Sequence, residues 1–156
     1  MITNERQYKI SMSQADRFAH ALKEFDEPAL VAQGMDALIV QAQRDGLTSQ
    51  LEELRAEIKR YERLKSGKVK QLSATEVSDI GTKLIEARIA QGLSQRQLAE
   101  RLGMKEQQIQ RYEQERYEAA SLARIAEVAG ALDVDVRFDF RLGQDVRDKP
   151  RAFEER

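Results

Sequence analysis

The sequence predicts an all-α protein: an N-terminal helical region with a short coiled-coil element, then a compact helix bundle, then one short β-strand. Three observations carry this expectation. Only two prolines occur in 156 residues, and 34% of the chain is Asp, Glu, Lys or Arg, a composition of long helix formers. Apolar residues recur three and four apart over most of the chain, the period of a buried helix face. Only residues 134–142 alternate with period two.

The first helix is expected over "ISMSQADRFAHALKEF". Ser11 to Gln14 has the form of a capping box, in which a serine oxygen and a glutamine three residues on satisfy free backbone N–H groups. Phe18, Leu22 and Phe25 follow on one face. A second stretch starts near Pro28 and runs to Ser66, where Gly67 stops it; Gly34 and Gly46 could kink or split it. Within it Leu47, Leu51, Leu54, Ile58 and Tyr61 form a seam of about two heptads. The seam fits packing back on the first helix and fits a dimer contact. Residues 1–66 are therefore expected to serve dimerisation or partner binding, and residues 67–77, polar with Gly and Ser, to be a connector.

A bundle is expected over residues 78–133. "IGTKLIEARIAQG" supplies Ile80, Leu84, Ile85 and Ile89. Ser94 to Gln97 is a second capping box, so a helix starts at Ser94, with Leu98, Ala99 and Leu102 facing inward. Gly103 ends it, being free to take a positive φ. So short a turn forces the next helix across the last. Ile109 and Tyr112 then point inward, which leaves Gln107, Gln108, Gln110 and Arg111 outside. "SLARIAEVAGAL", capped by Ser121, closes the bundle with Leu122, Ile125, Val128 and Leu132. Val134, Val136, Phe138, Phe140 and Leu142 alternate with charged residues, the pattern of a strand with one buried face. No second strand is evident, so the simplest partner is the same strand of a second copy about a two-fold axis. Residues 143–156 read as a polar tail.

Net charge is −1, which alone does not suggest a nucleic-acid binder, but charge is unevenly spread. Residues 1–54 hold five Lys/Arg against nine Asp/Glu, and residues 55–77 hold seven against three. Cysteine is absent, which removes disulfides, thiolate nucleophiles and Cys-based zinc sites. No run approaches the roughly 20 apolar residues of a membrane span, and the first residues do not form a signal peptide. The expected location is cytoplasmic.

The stretch from Ile80 to Val136 resembles the lambda-repressor/Cro-like, or XRE-type, helix-turn-helix family. The resemblance rests on Arg88, "GLSQ" at Gly92 to Gln95, Leu98-Ala99, Leu102-Gly103, "QIQRYE" from Gln108 to Glu113, and the "IAEVAGALDVDV" tail. It implies a DNA-binding domain whose recognition helix spans residues 105–114 and lies in the major groove. By position, Gln107, Gln108 and Arg111, with Gln110 beside them, would read base edges; Arg suits guanine and Gln suits adenine. Ser94, Gln95, Gln97 and Lys105 would meet phosphate, and Arg88, paired with Glu113, would lie near the DNA backbone. The chain departs from the family after this helix. Where a glycine and then a proline are common, it has Glu115 and Ala119-Ala120. Glu106 would be repelled by phosphate unless it accepts from cytosine.

Paired N-terminal helices ahead of a C-terminal helix-turn-helix also resemble the layout of HigA-like antitoxins, by arrangement rather than motif. His20 stands alone as a surface residue, and no phosphate loop, nucleophile elbow or paired carboxylates are present. The functional expectation is a dimeric, non-enzymatic repressor without cofactor or metal that binds double-stranded DNA. The alternative is an antitoxin that binds a toxin protein through its N-terminal helices.

Overall fold

A computed structural model describes residues 1–138, and the described residues are helical without strands. Helix α1 spans Glu5–Lys23, α2 Glu27–Ala32 and α3 Ala37–Lys65. A single 3₁₀ turn at Val77–Asp79 leads into α4, Ile80–Ala90. Then come α5, Gln95–Arg101, α6, Glu106–Gln114, and α7, Leu122–Ala131. No helix among the described residues is long and apolar enough to cross a membrane.

Helix α1 begins six residues before the expected Ser11, which lies inside it. Asn4 is the cap: its Oδ1 accepts from the Gln7 N–H at 2.9 Å, and Gln7 Oε1 accepts from the Thr3 N–H at 2.8 Å. This exchange satisfies the helix start, so the serines are not needed for it. Asp26 and Asp36 cap α2 and α3. Gly34, at φ 95°, separates α2 from α3, whereas Gly46 passes through the interior of α3. Gly67, at φ 67°, follows the end of α3 as expected.

Helices α1 and α3 run antiparallel. Tyr8 stacks on Tyr61 with centroids 5.1 Å apart, its hydroxyl donates to Glu62 at 2.7 Å, and Glu5 pairs with Lys65. Leu51, Ile58 and Tyr61 of the heptad seam are buried within this one chain, with Leu47 and Leu54 half-buried. The seam is satisfied by intramolecular packing.

One hydrophobic cluster joins the hairpin to the bundle. It runs from Ile2, Leu51, Ile58, Tyr61 and Leu64 to Leu84, Ile85, Leu98, Ile109, Val128 and Leu132. Val69 and Leu72 of the connector pack against it. Buried Glu86 of α4 reaches Arg60 of α3 and Lys83, a charge link across the joint.

Two expectations change at the C-terminal end. Leu122 is 75% exposed, because it is the first residue of α7 and the inward stripe begins at Ile125. Residues 134–138 form no strand, since no other segment among the described residues pairs with their backbone. The remainder of that expected strand, 139–142, lies outside the described residues.

Candidate nucleic-acid interface

The centre of the site is the crossing of α5 and α6. Ser94 and Gln97 form the expected reciprocal cap: Ser94 Oγ accepts from the Gln97 N–H at 3.1 Å, and Gln97 Oε1 accepts from the Ser94 N–H at 2.8 Å. Gly103 takes φ 64°, and the Met104 N–H returns to the Ala99 carbonyl at 2.9 Å, closing α5. Ala99, Leu98 and Ile109 are fully buried at the crossing. The outer face of α6 is thereby held on a rigid core.

That face carries the expected residues. Gln107, Gln108, Gln110 and Arg111 are exposed, as are Lys105 and Glu106. Gln108 Oε1 accepts from the Lys105 N–H at 3.1 Å, so this glutamine also caps its own helix. Gln110 donates to Glu106 at 3.1 Å, and Arg111 pairs with Glu115 at 3.0 Å while remaining largely in solvent. Such exposed i,i+4 pairs are weak and are readily exchanged for another partner.

Arg88 and Gln95, both expected near the DNA backbone, are buried. Arg88 is 2% exposed, as is Glu113. Arg88 donates to both Glu113 oxygens at 2.5 and 2.6 Å, to the Leu93 carbonyl at 2.7 Å and to the Thr3 carbonyl at 2.7 Å. Four of its five N–H groups are occupied. The pairing with Glu113 matches the expectation, and burial with these acceptors holds the guanidinium inside the fold. Gln95 is also buried. It donates to Glu113 at 2.8 Å and accepts from Asn4 at 3.4 Å. These two residues lock α4, α5 and α6 together, while Ser94 and Gln97 remain exposed.

Thr3 and Asn4 were not singled out in the sequence. Their contacts span 85 and 91 residues, a distance over which periodicity carries no information. The chain after α6 was also unclear. Arg116 and Tyr117 adopt left-handed backbone, φ 49° and 59°, in a tight turn. Tyr117 is buried and stacks on Tyr112 with centroids 5.5 Å apart. The turn is seated on Gly81 of α4, where a Cβ would fall 1.8 Å from the Arg116 carbonyl oxygen.

Two short helices crossing at a tight glycine turn, the second presenting an exposed polar face, have the arrangement of a helix-turn-helix. Residues 84–138, about a third of the chain, match the family model described as helix-turn-helix. That segment is therefore similar to helix-turn-helix domains. No curated protein and no solved structure matches the chain.

Proposed function

We propose that the chain is a sequence-specific repressor that binds DNA as a homodimer, with α6 in the major groove. The observation that carries this reading is the outer face of α6, where Gln107, Gln110 and Arg111 stand exposed over a fully buried backing. Arginine and glutamine make bidentate contacts with guanine and adenine there. Ser94, Gln97 and Lys105, exposed at the starts of α5 and α6, would meet phosphate. Two copies would present their α6 helices to successive grooves about 34 Å apart. The contact between copies is assigned to residues 134–142, whose described part exposes Val136 and Phe138.

Footprinting on the DNA upstream of its own gene tests the reading. A protected near-palindrome supports it, and binding that ignores sequence overturns it. Arg111→Ala should relax preference at one base pair by about 1–3 kcal/mol. Removing residues 134–142 should give monomers by light scattering.

A second reading, an antitoxin, is favoured by one observation. Leu38 is 77% exposed and Ile39 56%, with Val31 exposed beside them in the α2–α3 region. This apolar tip sits in an acidic third of the chain, which suits a small basic protein. Loss of a co-expressed basic partner on Leu38→Asp would support it.

A further inference from the structure

A cleft of about 990 Å³ separates the first turns of α1 from α6. One wall carries Arg6, Gln7 and Ile10; the other carries Gln110, Gln114 and Arg116. Its floor is the buried polar group of Arg88, Gln95 and Glu113, covered at Thr3 and Asn4. The volume is at the upper end of small-molecule sites, which run about 300–1,000 Å³. The cleft lies beside the glutamine face of α6 and shares Gln110 with it.

The charges on its walls are arranged unequally. Glu5 is tied to Lys65 at 2.5 Å, Glu106 accepts from Gln110, and Glu113 is neutralised by Arg88. Arg6 and Arg116 are exposed and make no ion pair among the described residues. The two unpaired cations therefore line a common space, in which Glu5 and Glu113 are paired with cations and Glu106 is the one lining carboxylate that keeps its charge. Arg116 is held in place by the turn seated on Gly81, and Arg6 by a helix whose base is anchored through Asn4 and Ile2.

We propose that this cleft receives one strand of the duplex read by α6, with Arg6 and Arg116 pairing with its phosphates from the two walls. The proposal rests on the DNA-binding reading above and adds α1 to the interface. Both arginines contact the strand through charge alone and carry no base information. The N-terminal hairpin thus fixes how α6 is seated along the groove.

The test uses the full chain, a duplex enriched by it from a random pool, and an unrelated duplex of equal length. Arg6→Gln and Arg116→Gln should each weaken binding to both duplexes by a similar factor, about 3- to 10-fold near 0.1 M salt. Each should also lower the slope of log affinity against log salt by about 0.9. Lys23→Gln, roughly 26 Å along α1 from Arg6, should change neither. Unchanged affinity and slope in both arginine variants, with Arg111→Ala still altering base preference, overturns the cleft and leaves the DNA-binding reading standing. Tighter binding by Arg6→Gln also overturns it, since α1 would then be obstructing the duplex. Failure of the parent chain to bind any duplex overturns both readings.

Discussion

The buried Arg88–Glu113 pair shows what a single residue does here. Its partner was legible from the residues around it, but its burial was not, because burial depends on Thr3 and Asn4 arriving from the far end of the chain. A charge taken from water is tolerated only with its partners in place. Arg88→Ala would leave Glu113 buried without its cation, and should cost about 3–5 kcal/mol in urea unfolding. Glu113→Gln should cost a similar amount, because it leaves the Arg88 guanidinium, which cannot shed its charge, buried without an anion. Tyr117 presents the opposite case: its hydroxyl is buried and has no hydrogen-bond partner among the described residues. Tyr117→Phe should leave the melting temperature unchanged or raise it, since no bond is lost. Burial first, and Glu113 second, push the Tyr117 ionisation upward. The folded state therefore holds this proton more tightly than the unfolded chain. Stability from this source is full below about pH 10 and falls as pH rises past it. Tyr117→Phe should remove part of that alkaline loss, as measured by melting temperature against pH.

At the scale of elements, caps were legible when the competing cap was weaker, and misleading when it was not. The Ser94 box starts α5 because no earlier donor–acceptor pair extends the helix backwards. The Ser11 pattern fails because Asn4 and Gln7 already begin a helix that runs through it. The two glycines that shape the domain act by different physics. Gly103 needs its φ of 64° and has open space around it, so Gly103→Ala should cost only the left-handed penalty, about 1–2 kcal/mol. Gly81 has ordinary helical backbone but sits against the Arg116 carbonyl. Gly81→Ala should therefore displace the turn after α6, and should cost more stability than Gly103→Ala. Chemical denaturation of the two variants ranks them, and the reverse order would mean that the turn yields easily. The sequence pointed to Gly103 because turns leave a local mark. It could not point to Gly81, whose constraint comes from residues 35 positions away.

At the scale of the whole molecule, the sequence reads as separate pieces, yet the structure joins them through one core. The seam on α3 was recognisable, but periodicity does not state what a stripe packs against, so a dimer and a hairpin looked alike. In the folded chain Ile58, Tyr61 and Leu64 of α3 share a cluster with Ile85, Leu98 and Ile109 of the bundle, and Arg60 reaches Glu86. Removing the hairpin would uncover that cluster and leave Arg88 without its Thr3 acceptor. The two halves should accordingly unfold together. The chain's four tyrosines allow a direct check, two lying in the hairpin and two in the bundle. Tyr8→Phe with Tyr61→Phe leaves Tyr112 and Tyr117 as fluorescent reporters of the bundle. Tyr112→Phe with Tyr117→Phe leaves reporters of the hairpin. Within each doubly substituted chain, the tyrosine transition in urea should coincide with the far-ultraviolet circular dichroism of the whole molecule. A hairpin signal that melts well before the helix signal would make residues 1–66 an independent unit, and would remove the rigid wall on which Arg6 depends.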